Sequence, residues 1–84
     1  MTEKKVKQNQ FITSDLALAA ALITSGCQLL DLDKTNPKRM GFIFIKTGDS
    51  FDQLVEDFFS DKARVNPRKY FEDIKMLKNR IYTQ

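Results

Sequence analysis

Arg39-Met40-Gly41-Phe42-Ile43-Phe44-Ile45-Lys46 is the stretch on which the reading of this chain turns. Side chains on a strand point alternately to opposite faces, so Phe42 and Phe44 share one face while Ile43 and Ile45 share the other. Both faces are apolar, and each must be either covered or put to use. Left open, two rings flanked by Arg39 and Lys46 would make a platform on which the bases of a single strand could stack. Covered on both sides, the same residues are the centre of a small core.

The segments on either side favour the covered arrangement. Upstream, Cys27 to Asp33 reads as a strand, with Leu30 and Leu32 on one face and Cys27, Leu29, Asp31 and Asp33 on the other. The polar linker Lys34-Thr35-Asn36-Pro37-Lys38 breaks it, because proline cannot donate to a ladder, and the strand 40–46 returns antiparallel. Before that, Leu16 to Ile23 is apolar on nearly every helical face and is expected to be a buried helix. Thr13 or Ser14 is its expected cap, Asp15 belongs to its first turn, and Gly26 supplies the stop. Phe11-Ile12-Thr13 reads as a short first strand, and the lysine-rich residues 1–9 as a flexible segment.

Downstream, Asp49 or Ser50 is expected to cap a helix that sets Phe51, Leu54, Val55, Phe58 and Phe59 against its acids. Asn66-Pro67 then starts a last helix: Asn66 caps, Pro67 takes the first helical position and Val65 staples onto Tyr70. Tyr70, Ile74, Leu77 and Ile81 form its apolar stripe, widened by Phe71. The order strand, helix, strand, strand, helix, helix defines an α+β fold with a small, antiparallel-containing sheet of about three strands packed by helices. Residues 10–84 form its single domain. In this scheme the last helix covers one sheet face and the helices at 14–25 and 50–60 cover the other, which makes Phe42 and Phe44 core.

Composition agrees with one small domain: 84 residues, 42% hydrophobic and 30% charged. Such a domain buries only roughly 60% of its unfolded surface, so its stability is expected to be modest and a homodimer stays open to it. Cys27 stands alone and there is no histidine, which excludes an internal disulfide, points to a reducing compartment and removes the usual zinc ligands. Lys4, Lys5 and Lys7, the apolar run and Thr24-Ser25-Gly26-Cys27 imitate a lipoprotein leader. Thr24 stands where such a site wants a bulky aliphatic residue, Asp15 abuts the run, and the run is too short to span a bilayer. A cytoplasmic protein with no membrane partner is expected.

No chemistry-bearing constellation emerges. Asp31 and Asp33 share a strand face and could hold Mg²⁺, but further oxygen ligands are lacking, and two acids at a strand end read as a solvated edge. Ser14 and Ser50 have no histidine base and sit at caps; Gly48 alone makes no phosphate loop; Cys27 reads as a small core side chain. The expectation is a protein without enzymatic activity or cofactor.

The net charge of +3 is unevenly spread. Asp49, Asp52, Glu56, Asp57 and Asp61 follow one another without a base, and a base-rich C-terminal segment follows them. Lys34, Lys38, Arg39 and Lys46 flank the aromatic strand, while Arg68, Lys69, Lys75, Lys78 and Arg80 run along the last helix. These nine cations are the candidate phosphate contacts, with Phe42 and Phe44, or Tyr70 and Tyr82, as candidate base contacts. The opposing expectation is that the acidic and basic segments are neighbouring helices whose charges offset each other.

Two resemblances bear on these expectations. Gly41-Phe42 and Phe44-Ile45 resemble part of the third strand of the RNA-recognition motif, but Ile43 replaces its small residue, Thr47 its last aromatic, and no fourth strand follows. From Phe11 to Tyr82 the chain resembles a small uncharacterised domain of bacteria and their phages. Thr13 to Ala20, Leu29 to Lys34, Asn36-Pro37-Lys38-Arg39, Phe42-Ile43-Phe44 and Lys75 to Tyr82 carry that likeness. It implies a cytosolic, phage or mobile-element context and brings no established activity, so no catalytic residue is carried over from it. Two functions follow as expectations: a nucleic-acid-binding accessory protein contacting DNA or RNA, or a protein-interaction module that modulates a host or phage protein.

Overall fold

The computed structural model describes residues 9–36 and 38–83. The expected flexibility of residues 1–8 and the ladder-breaking role of Pro37 therefore lie outside the described residues. The elements are β1 (Gln10–Thr13), α1 (Leu16–Thr24), β2 (Leu29–Asp33), β3 (Gly41–Ile45), α2 (Asp49–Phe59) and α3 (Pro67–Thr83), an α+β fold in the expected order. The three strands form one sheet in the order β1-β3-β2, antiparallel at both junctions. Lys46 N–H donates to Asn9 O at 2.8 Å, which continues the hydrogen bonding between β1 and β3 by one residue.

β3 is central because it alone can be apolar on both faces. Phe11 and Leu29 oppose Phe44, and Thr13 and Leu32 oppose Phe42. These aromatic and aliphatic residues share one core with Leu18, Leu22, Phe51 and Leu77. Phe42 and Phe44 are 1% and 0% exposed. The ring of Phe51 lies 5.3 Å from that of Phe11 and 6.5 Å from that of Phe44, so α2 seals the same face.

Two expectations about the faces need correction. All three helices contribute to the core on the Phe42–Phe44 side, so they do not divide between the two faces. α1 explains this: apolar all round, it needs cover on several sides, and it takes β1, α2 and α3 as neighbours. The opposite face carries Ile12, Gly41, Ile43 and Ile45 with Asp31 and Asp33, none of which belongs to the core the helices share. The second correction concerns β2. A register shift between Leu29 and Asp31 makes Leu30 the extra residue of a bulge, so Leu29 and Leu32 both pack inward and Leu30 is left exposed.

On that outer face, side chains from β1 and β2 close over Gly41. A Cβ there would fall 2.9 Å from Ile12 Cδ1 and 3.2 Å from Asp33 Cβ. Gly41→Val is therefore expected to cost about 1–3 kcal/mol of overpacking, and Ile12→Ala in the same chain to recover part of it. Urea midpoints of the two single variants and the double variant measure that coupling, and additive costs would exclude the contact.

The helix ends also differ in detail from expectation. Asp15, not Thr13 or Ser14, is the N-cap of α1, its Oδ1 accepting from Leu18 N–H at 3.1 Å, while Thr13 Oγ1 accepts from Asp15 N–H. Gly48 occupies the N-cap of α2 at φ 100°, and Asp49 and Asp52 lie in the first turn, where the helix dipole favours them. Asn66 caps α3 as expected, its Oδ1 accepting from Lys69 N–H at 3.0 Å. Two long-range bonds tie α3 to α1: Tyr70 Oη donates to Ala17 O at 3.1 Å, and Thr24 Oγ1 donates to the buried Asp73 Oδ2 at 2.7 Å. Phe59, expected on the apolar side of α2, and Phe71, expected to widen the stripe of α3, are 64% and 59% exposed. No helix of the described residues is long and apolar enough to cross a membrane.

Candidate nucleic-acid interface

The structure sorts the nine candidate cations into engaged and available ones. Lys46 Nζ sits 3.6 Å from Asp52 Oδ1, at the opposite end of β3 from Arg39, so the two do not form one margin. Arg68 Nε lies 3.8 Å from Glu72 Oε2, an exposed pair one helical turn apart. Lys69 Nζ lies 3.1 Å from Asp73 Oδ2 and neutralises that buried carboxylate. Lys75 Nζ stands 5.1 Å over the ring of Phe71 and partly shields it. Lys34 is exposed just beyond the end of β2. Among the described residues, no carboxylate pairs with Lys38, Arg39, Lys78 or Arg80. Nor does any ion pair of the described residues join α2 to α3, so the acidic and basic helices do not offset each other by direct contact.

Lys38 and Arg39 are carried by a loop held by its own side chains. Asp33 Oδ1 accepts from the backbone and hydroxyl of Thr35, and Asn36 Oδ1 accepts from Lys38 N–H at 2.9 Å. Arg39 N–H donates to Asn36 O at 3.0 Å. These Asx-type turns fix the backbone below two exposed cationic side chains. They also give Asp33 a structural task, as the bond from Leu32 N–H at 2.8 Å does for Asp31.

Behind the loop lies a groove of about 390 Å³. Ser14, Asp15 and Leu16 at the start of α1 form one wall, Lys38 and Arg39 form its rim, and Met40, Phe42 and Ile81 complete it. The register accounts for the meeting: Thr13 opposes Phe42 at the beginning of β3, so the first turn of α1 starts beside the loop that enters β3. The apolar stripe of α3 brings Ile81 there from the far end of the chain. Of these residues the sequence marks Lys38 and Arg39 as phosphate contacts, whereas Ser14 reads as a cap, Asp15 as a first-turn acid and Ile81 as core. Nothing local to those residues announces a shared groove.

The aromatic candidates sort equally clearly. Phe42 and Phe44 are core and offer no face to a base. Tyr70 spends its hydroxyl on Ala17 O and packs against the core. Tyr82 is 81% exposed, follows Ile81 directly and lies one helical turn beyond Lys78. An available ring thus stands at the end of α3 that also carries Lys78 and Arg80. Elsewhere, burial pushes the Cys27 thiol above its ordinary range and suppresses the thiolate, which suits a packing role.

A family model for a domain of unknown function (DUF5659) matches residues 8–83. No curated protein and no solved structure matches the chain.

Proposed function

The chain belongs to the DUF5659 family, and we propose that it binds nucleic acid, as a non-enzymatic accessory protein of phage or mobile-element origin acting in the cytoplasm. One observation supports this above the others: Lys38 and Arg39, without carboxylate partners among the described residues, rim the groove into which the C-terminal end of α3 delivers Ile81. Arg80 and Lys78 lie on that same end of α3, which also carries the exposed ring of Tyr82. Cations without a carboxylate partner among the described residues, on the same elements as an exposed aromatic, suit a phosphate backbone and an unstacked base.

Fluorescence anisotropy with labelled single-stranded and duplex oligonucleotides tests the proposal. If these four cations each neutralise a phosphate, single-strand affinity falls about 50-fold between about 50 and about 200 mM salt, from a slope near −0.7 per contact. No binding at micromolar protein, or affinity indifferent to salt, would overturn it.

A second reading, the protein-interaction module, rests on the outer sheet face. Ile12 is exposed there to 36% and the bulged Leu30 is exposed to 39%, while the core shared by the helices lies on the other side. It requires a stoichiometric host or phage protein whose capture is lost on Ile12→Asp, with no nucleic acid co-purifying.

A further inference from the structure

We infer that the groove takes a single unstacked nucleotide, so the protein selects single strands over duplexes; this rests on the nucleic-acid reading above. The inference comes from the size and the asymmetry of the groove. At about 390 Å³ it falls within the roughly 300–1,000 Å³ typical of small-molecule sites, whereas depressions of about 270 and 260 Å³ elsewhere, and one of about 160 Å³ that adjoins it at Ser14 and Arg39, fall below that range.

Its lining is divided as a nucleotide is divided. Leu16, Met40 and Ile81, backed by the buried Phe42, offer apolar surface for the flat face of a base, with Met40 able to adjust to its outline. Lys38 and Arg39 stand on the rim, where a phosphate remains partly hydrated. The Asp15 carboxylate in the same lining disfavours an anion beside it, so the phosphate is directed to Lys38 and Arg39. One oxygen of Asp15 is committed to Leu18 N–H. The other oxygen and the exposed Ser14 hydroxyl can meet the polar edge of a base.

A duplex cannot use this arrangement without unstacking. Its base faces are covered by their neighbours, and only its phosphates reach Lys38 and Arg39. Single strands and duplexes therefore share the electrostatic contribution to binding and differ in the groove.

The experiment compares a labelled single strand with its own duplex at matched salt, and follows the methyl resonances of Met40 and Ile81 on titration with adenosine monophosphate. Ser14→Trp, a change at an exposed position that places an indole over the groove, is assayed alongside, with thermal unfolding as a check on folding. We expect single strands to bind about tenfold tighter than duplexes, both methyl groups to shift with the monophosphate, and Ser14→Trp to lower single-strand affinity about tenfold. Equal affinity for duplex and single strand, with unmoved methyl resonances, would overturn the nucleotide site while leaving nucleic-acid binding in place. Absence of binding to either form would overturn both. Should Ser14→Trp fail to fold, the methyl titration on the unaltered protein decides.

Discussion

Phe44→Ala is expected to destabilise the protein by about 3–5 kcal/mol, the cost of removing a fully buried phenyl ring and leaving a cavity. The ring has no exposure, sits at the middle of the central strand and packs against Phe51. Small domains are stable by only about 5–15 kcal/mol, and one of this size belongs toward the lower end, so much of the variant population would be unfolded at physiological temperature. Urea unfolding followed by far-ultraviolet circular dichroism measures the loss. A loss below about 1 kcal/mol would mean that the ring does not occupy the core. Phe44→Leu, which keeps most of the apolar volume, should fold and retain the nucleic-acid affinity of the unaltered chain. That pair of outcomes separates a packing residue from a stacking residue on the same strand.

Reversal of both rim charges, Lys38→Glu with Arg39→Glu, is expected to lower single-strand affinity about 100-fold at moderate salt. Each lost charge-assisted hydrogen bond to a phosphate is worth about 1.5 kcal/mol or more, and reversal adds repulsion. The slope of log affinity against log salt should flatten at the same time. Lys46→Glu is the informative companion, because Lys46 sits at the far end of β3 and is already beside Asp52. It should change affinity less than about threefold. Equal losses for the rim pair and for Lys46 would mean that binding reads net charge and has no localised site. Both sets of side chains are exposed, so stability should move by no more than about 0.5 kcal/mol in either variant.

The sequence made some of this legible and hid the rest for identifiable reasons. Alternation at Phe42 to Ile45 and the unbroken apolar character of Leu16 to Ile23 are strong periodic signals, and both elements stand where expected. Asn66-Pro67 combined a cap with a helix-compatible φ, and it starts α3. The phase of β2 was hidden because Leu29-Leu30-Asp31-Leu32 fits two inward sets, and only the bulge, a feature of pairing, chooses between them. The side on which the helices pack was hidden too. Ile43 and Ile45 are as apolar as the aromatics opposite, and which face receives α1, α2 and α3 is set by how the chain crosses the sheet. For the candidate interface, charge could be counted in the sequence but availability could not. Ion pairing, the cation over Phe71 and the meeting of Ser14, Arg39 and Ile81 exist only after residues far apart have come together.

The strand order β1-β3-β2 also sets a timetable. The middle strand is the last of the three to leave the ribosome, and the two strands made before it do not pair with each other. Until Ile45 has emerged, β1 and β2 have no ladder partner, and Leu29 and Phe11 have no Phe44 to pack on. Sheet formation is therefore delayed and then gained in one concerted event, while α1, whose hydrogen bonds are local, is free to form early. During that interval the apolar run of α1 and the unpaired strands share an open chain. The few residues from Gly41 to Ile45 close it.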